Sequence, residues 1–326
     1  MLKVGVVGAG HLGKIHLKCL LELSDVVQLV GFYDEDVARR ELVAVELGIK
    51  AFTRQEDLIE AVDIVDIVTP TIYHYAVAQQ AVRKGKHVFI EKPVTATLDE
   101  ANELAAMVEQ FNVKAQVGHV ERFNPAVLGL KDRKIKPMFI EAHRLAMFNP
   151  RGTDVSVVLD LMIHDLDLVL HWIKSPIKNV HASGVAVVSE TPDIANARIE
   201  FENGCVANLT ASRISMKQMR KVRLFQKDTY ISLDLLEKQT QIIEISDDAP
   251  ADDNQTFPLE TLNGTKYISI DMPEVQQVNA IKEELRSFVH SIQHNSPIKV
   301  TLQDGIHVLA IAYQILQKME EGIRIL

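Results

Sequence analysis

Leu2-Lys3-Val4-Gly5-Val6-Val7-Gly8-Ala9-Gly10-His11-Leu12-Gly13 decides the fold class of this chain. A short apolar run, long enough for one strand, passes directly into G-x-G-x-x-G, and the next apolar-rich segment reads as a helix. Glycine-rich turns are common, so the pattern counts only in that strand–turn–helix setting. There it meets a specific demand: a tight turn, backbone close enough to touch a pyrophosphate, and a helix amino terminus whose free N–H groups favour anions. Gly8, Gly10, His11, Leu12 and Gly13 are therefore the expected dinucleotide cradle. A second apolar run, Gln28–Tyr33, ends at Asp34, twenty-one residues beyond Gly13. A carboxylate there accepts hydrogen bonds from the adenosine ribose and repels a 2′-phosphate, which favours NAD. Arg39 and Arg40 stand close enough to keep NADP open. The competing reading is a glycine turn in an unrelated α/β protein.

Outward from this turn, short β-branched runs alternate with helical stretches. Strands are expected at Lys3–Val7, Gln28–Tyr33, Ile64–Val68, Val88–Ile90 and Lys114–Val117, each nearly continuously apolar, as in a parallel sheet covered on both faces. A helix opens at Thr97 with Glu100 three residues on, a capping box. It is expected to bury Leu98, Ala101, Leu104, Val108 and Phe111. Residues 1–120 thus read as a doubly wound Rossmann domain of the α/β class. After about 120 the rhythm changes. A helix over Val157–Ile173 precedes strands at His181–Val188, Ala195–Phe201, Cys205–Ser212, Val222–Gln226 and Thr229–Leu233, with an Asn203-Gly204 hairpin turn. Residues 121–326 are expected to form an α+β domain with an open, mainly antiparallel sheet. Residues 247–254 read as a solvated loop. Two amphipathic helices follow, one carrying Val275, Val278, Ile281, Leu285, Phe288 and Ile292, the other opening at Thr301.

The bulk composition narrows the function classes. The 326 residues are 47% hydrophobic and 24% charged with a net charge of −9, which suits a soluble protein and argues against nucleic acid as a partner. Two cysteines in no metal or redox spacing point to a reducing compartment, the cytoplasm. No apolar run approaches the roughly 18 residues that span a bilayer.

Ligands of open α/β sheets bind beyond the carboxyl ends of the strands. At that edge the sequence offers Thr69, Pro70 and His74 after the third run, and Glu91-Lys92-Pro93 after the fourth. Lys92 should project toward the nicotinamide end, where partial desolvation would make its proton easier to give up. The alternative is a Glu91–Lys92 surface ion pair closing a strand. In the helix over 157–173, Asp160, His164, Asp167 and His171 fall within an arc of roughly 60°, with Asp165 off the stripe. Such a row on a buried helix is costly unless its members are paired or meet a cavity. Asp160 and His164 at i, i+4 are spaced to interact, and an imidazole titrates where a hydroxyl proton can be moved. A satisfied core histidine with a structural aspartate, or a metal held by Asp160, His164 and His171, are the other readings. With no fourth ligand evident, no metal is assigned.

The glycine turn, Thr69-Pro70…His74, Glu91-Lys92-Pro93 and Asp160-x-x-x-His164-x-x-Asp167 together resemble the glucose–fructose oxidoreductase / inositol dehydrogenase / MocA family over most of the chain. The resemblance implies Lys92, Asp160 and His164 as the catalytic group, with His164 as general base. It implies a hydride transfer between nicotinamide and a secondary alcohol of a sugar or nucleotide sugar, and a homodimer or homotetramer. The chain departs from the family pattern at Thr71, Ser156-Val157 and Met162. The stretches Arg151-Gly152-Thr153-Asp154 and Glu121-Arg122-Phe123-Asn124-Pro125 are most similar to members that oxidise UDP-N-acetylglucosamine-type sugars at carbon 3. That resemblance implies Arg122, Asn124, Arg151, Asp167 and Arg213 as substrate contacts. The run Arg213, Lys217, Arg220, Lys221, Arg223 would then meet a diphosphate or form a solvated strand face. A non-catalytic dinucleotide-binding regulator of the same fold is the alternative function, and reduction of a non-sugar double bond, as in biliverdin-reductase-like relatives, is a third.

Overall fold

The computed structural model describes residues 1–149, 155–248, 256–262 and 264–323. It divides into two compact units: Met1–Val120 with Val278–Ala310, and Glu121–Gln277 with Ile311–Leu326.

In the first unit, β1 (Leu2–Val7), β2 (Val27–Tyr33), β3 (Ile64–Ile67), β4 (His87–Glu91) and β5 (Ala115–Gly118) form a parallel sheet in the order β2-β1-β3-β4-β5. The order reverses at β1, and a Rossmann ligand crevice opens at such a switch point. The intervening helices are α1 (His11–Glu22), α2 (Val37–Leu47), α3 (Gln55–Ala61), α4 (His74–Arg83) and α5 (Leu98–Gln110). The expected capping box on α5 is present, Thr97 and Glu100 each closing the other's free N–H. That helix buries Ala101, Leu104 and Met107, whereas Phe111 is the C-cap and 39% exposed. The expected apolar face overran the helix end.

Val278–Ala310 groups with the first unit, whereas a single division at 120 assigns it to the second. The reason is packing. Helix α8 (Ala280–Gln293) inserts Leu285, Phe288 and Val289 into the core built around Val6, Leu17, Phe32 and Phe89. The Phe288 ring lies 6.1 Å from that of Phe89. Asn279 caps the helix through Ile281 and Lys282 N–H, so Val275 and Val278 precede it. Helix α9 (Leu302–Ile323) follows, with Thr301 and Asp304 bonded reciprocally at its start.

In the second unit, among the described residues, nine strands form one sheet: β6 (Phe139–Leu145), β7 (Ile177–Val185), β8 (Ile194–Phe201), β9 (Val206–Ser212), β10 (Met219–Gln226), β11 (Thr229–Asp234), β12 (Gln239–Ser246), β13 (Thr256–Thr261) and β14 (Gly264–Asp271). Among the described residues of this sheet, only the β6–β9 pair is parallel. Period-2 alternation sorts the two faces. Val180, Ile199, Ala207, Ile140, Leu224, Ile231 and Ile242 are register partners across seven strands, and all are buried. One residue along, His181, Arg198, Asn208, Glu141, Arg223, Ser232 and Gln241 make a polar row on the other face. α7 (Ile163–Trp172) packs on β6 and β9, and α6 (Pro125–Leu128) on β11 and β12. The expected hairpin turns at Gly204, φ +85°. Strand β7 ends at Val185 rather than Val188, because Asp193 Oδ2 accepts the N–H groups of Val187, Val188 and Ser189. Of residues 247–254, all beyond 248 lie outside the described residues. No helix among the described residues is long and apolar enough to cross a membrane.

Candidate dinucleotide groove and polar helix

The glycine turn does in three dimensions what its spacing demands. A Cβ on Gly8 would lie 2.6 Å from Val68 O, and one on Gly13 would lie 2.1 Å from Gly8 O, so both positions exclude side chains. Gly8 also has φ +98°, a left-handed backbone that favours glycine. Gly10 is different: a Cβ there would meet nothing within 4 Å, so the protein's own packing leaves open space in front of it. Gly10 is the N-cap of α1 without a side-chain cap, and the first turn of α1 holds no acidic residue. Unsatisfied N–H groups facing open space form an anion seat.

Two adjoining cavities run from this seat. One, of 730 Å³, is lined by Gly8, Tyr33, Asp34, Arg39, Thr69 and Pro70 among others. The other, of 420 Å³, shares Gly8, Asp34, Arg39, Thr69 and Pro70 and continues past Gly10, His11 and Leu12 to Glu91 and Lys92. The groove therefore joins Asp34 to Lys92. Thr69 Oγ1 is buried with no protein partner beside it, an orphan that a ligand's polar group would satisfy. These residues fit an extended nucleotide with an anionic centre.

Asp34 is held in place. Its Oδ2 accepts Ala9 N–H at 2.7 Å, Oδ1 accepts Asp36 N–H at 2.9 Å, and Arg39 lies 3.2 Å from Oδ1. Arg40 donates to the Asp34 carbonyl and lies over the Tyr33 ring. His74, expected to touch the cofactor, is instead buried and lines neither cavity. Its ring bridges the carbonyls of Thr69 and Pro93 at 2.8 and 2.9 Å, tying the β3 loop to the Glu91-Lys92-Pro93 turn. Burial holds this ring below its ordinary range, and the carbonyls of Thr69 and Pro93 oppose that shift. The Lys92–Pro93 peptide is cis.

In the second unit, Val158–Met162 is a π-helical turn that leads into α7. The assumption of 100° per residue fails there, because a π turn bonds i to i+5. Asp160 and His164 are half-buried, whereas Asp167 and Asp165 are buried. Arg122 grips Asp167 with Nε 2.8 Å from Oδ2 and a terminal nitrogen 2.6 Å from Oδ1. Asn124 caps α6 and bonds Glu121 and the Leu235 carbonyl. Arg122, Asn124 and Asp167, expected to touch substrate, thus have partners within the second unit. Arg213 is buried and donates to Val155 O at 2.6 Å. Lys221 and Arg223 pair with Asp234 and Glu141, the solvated strand face that was the second reading of the basic run. Arg151 lies outside the described residues.

Sequence reasoning missed two buried clusters. Arg144 makes a bidentate pair with Asp165 (3.0 and 2.8 Å) and reaches Glu121 at 2.9 Å. His16 sits between Asp66 and Glu91. An arginine on the core face of an apolar strand, and a histidine on the core face of α1, were the available signals. Among the described residues no group of three or more His, Cys, Asp or Glu is arranged to hold a metal ion.

A dinucleotide crevice at the switch point of a parallel sheet, followed by a unit with a large, mainly antiparallel sheet, defines a two-domain nicotinamide-dependent oxidoreductase. Residues 2–119 match the oxidoreductase family with an NAD-binding Rossmann fold, and residues 140–229 match the GFO/IDH/MocA C-terminal domain. The chain belongs to the GFO/IDH/MocA family. It is 36% identical over 320 residues to the UDP-N-acetylglucosamine 3-dehydrogenase of Acidithiobacillus ferrooxidans, covering 98% of this chain and 97% of that one. The solved structure of an A. ferrooxidans UDP-N-acetylglucosamine 3-dehydrogenase superposes with a TM-score of 0.88 at 34% identity, covering 98% of both chains. A scyllo-inositol 2-dehydrogenase (NAD(+)) of Bacillus subtilis is 31% identical over 235 residues, covering 66% of this chain and 68% of that one.

Proposed function

We propose that the protein oxidises a secondary alcohol of a nucleotide sugar, UDP-N-acetylglucosamine at carbon 3, with NAD as the acceptor. The observation that carries this reading is the groove that begins at Asp34, passes the open space before Gly10 and ends at Lys92. The 36% identity to a UDP-N-acetylglucosamine 3-dehydrogenase along nearly the whole chain supports the substrate. When bound, the nicotinamide ring supplies the hydride acceptor. The chain's own groups do the rest. Gly10 and the first turn of α1 seat the pyrophosphate, and Asp34 accepts from the ribose. Lys92 holds the reacting hydroxyl, and His164, with Asp160 four residues before it in the sequence, takes its proton. That Asp160 and His164 stay half-buried, whereas Asp165 and Asp167 on the same helical stretch are buried, supports this role. The assay is direct: the protein is mixed with NAD and UDP-N-acetylglucosamine, and absorbance at the reduced-nicotinamide band is followed. Growth of that band only when both are present is expected. No turnover on nucleotide sugars, sugars or polyols would reject the reading.

The preference for NAD rests on Asp34. A 2′-phosphate beside its carboxylate meets like charge, which costs several kcal/mol. Arg39 and Arg40 already flank the position. Asp34→Ser should therefore swing the ratio of kcat/KM for NAD over NADP by about 100-fold toward NADP. An unchanged ratio would remove Asp34 as the discriminator.

The same reading places the protein in the cytoplasm as a homodimer or homotetramer. Its two cysteines are free and buried, and burial pushes the Cys205 thiol up to about 11, which keeps it unreactive.

A further inference from the structure

Beneath the glycine turn, three titratable side chains used in no step above meet out of water. His16, on the inner face of α1, is fully buried; its Nδ1 lies 2.9 Å from Asp66 Oδ2 on β3, and its Nε2 lies 3.1 Å from Glu91 Oε1 at the end of β4. The ring meets Phe89 edge-on at 5.8 Å. Nδ1 is hydrogen-bonded to Asp66, whereas Nε2 faces Glu91 Oε1 at ion-pair distance without hydrogen-bond geometry, and a ring placed between two carboxylates is favoured in its charged form. Burial works against that charge, but the carboxylates of Asp66 and Glu91 outweigh it and hold the ring's pKa well above its ordinary value. Burial also lifts the Asp66 carboxyl, with His16 opposing. Cys19, one turn along α1, is the other titratable group that His16 influences, its thiol raised by burial.

Stability does not account for this arrangement. Asp66 occupies the interior of a central strand, fully buried, with Oδ1 lacking any partner. Buried ion pairs of this kind are commonly neutral or worse beside apolar residues of the same volume. The far end of the chain of contacts supplies a reason. The Glu91 carboxylate lies against Gly118, where a Cβ would come within 2.8 Å of Oε1, and Oε2 accepts the Lys92 N–H at 3.2 Å.

We propose that His16 is a positioning residue for Lys92: as a buried cation it pins the Glu91 carboxylate, and Glu91 in turn fixes the backbone from which Lys92 leaves β4. The inference rests on the placement of Lys92 at the reacting hydroxyl under the proposed function. His16→Asn removes the cation, and Glu91→Gln removes the charge it pins while keeping the shape. Each should lower kcat by about 10- to 100-fold, the effect of a misplacement near 1 Å, with dinucleotide affinity changed by no more than about threefold. A loss of substrate and dinucleotide binding in proportion to kcat would mark a merely structural role and overturn the proposal.

A second readout needs no turnover. Reductive ¹³C-methylation of the lysines keeps their charge, and the Lys92 resonance is assigned by its loss in Lys92→Arg. In the variants that resonance should move or broaden while the other lysines stay put. Folded variants with wild-type kcat, or an unmoved Lys92 signal in either, would overturn the proposal. Glu91→Gln leaves His16 and Asp66 in contact, so it decides the matter if His16→Asn does not fold. If the unaltered enzyme turns over no substrate, the kinetic arm fails with the proposed function, and the resonance alone decides whether His16 positions Lys92.

Discussion

Lys92→Ala is expected to lower kcat by about 10²- to 10⁴-fold, the range for loss of a positioned acid–base group, while dinucleotide affinity stays within about tenfold. The two effects separate because of where the residue sits. Lys92 lines one end of the groove, whereas Gly10 and Asp34, the proposed pyrophosphate and ribose contacts, lie away from it along the groove. Those contacts are made equally in the ground state and the transition state, so they govern binding. Under the proposed function the ammonium holds the reacting hydroxyl, so its loss falls on the chemical step rather than on the dinucleotide. Steady-state kinetics with the substrate, together with fluorescence titration of the reduced dinucleotide, distinguishes the cases. Unchanged kcat would remove Lys92 from the mechanism, and parallel loss of kcat and binding would make it a cofactor ligand only.

Arg144→Met should be the most destabilising single change in the second unit. Arg144 is buried on the core face of β6, bonded to buried Asp165 through two nitrogens and to buried Glu121 through the third. Removing one partner of a buried pair leaves uncompensated charge and costs about 3–5 kcal/mol, which denaturant unfolding would register directly. The loss should also depend on pH. Burial already holds the Asp165 carboxyl above its ordinary value with the guanidinium opposing, so deleting the guanidinium raises it further. A folded-state pKa above the unfolded one favours the folded state at low pH. That contribution disappears as pH rises through the folded value. The variant should therefore lie nearer the wild type under mildly acidic conditions than at neutral pH. A change below about 1 kcal/mol at neutral pH would show that the Glu121–Arg144–Asp165 cluster does not hold the unit together.

The parts of the site written in local sequence were legible. Gly8, Gly10 and Gly13 each have a place that spacing alone assigned, and Lys92 follows its strand into the groove. The Thr97 capping box and the Gly204 hairpin are local for the same reason. What was not legible depends on partners far apart in the chain. His16 meets Asp66 across 50 positions, and Arg122 meets Asp167 across 45. No periodicity announces such pairs, so the Arg122–Asp167 contact is visible only in the structure. The helix over 157–173 misled differently. Its polar stripe assumes α-helical pitch, whereas Val158–Met162 is a π turn. Strands β6, β12, β13 and β14 were missed, though β6 alternates buried and half-buried residues along its length. The return of α8 to the first unit is likewise a property of packing, set by Leu285, Phe288 and Val289.

The proposed function requires the Lys92 ammonium and the His164 imidazole to serve the same hydroxyl of the sugar. The most direct test is a crystal structure of the enzyme with NADH and UDP-N-acetylglucosamine. Lys92 Nζ and a ring nitrogen of His164 are both expected within about 2.6–3.2 Å of the carbon-3 oxygen. A bound sugar whose oxygens touch neither group, with dinucleotide in its groove, would contradict it.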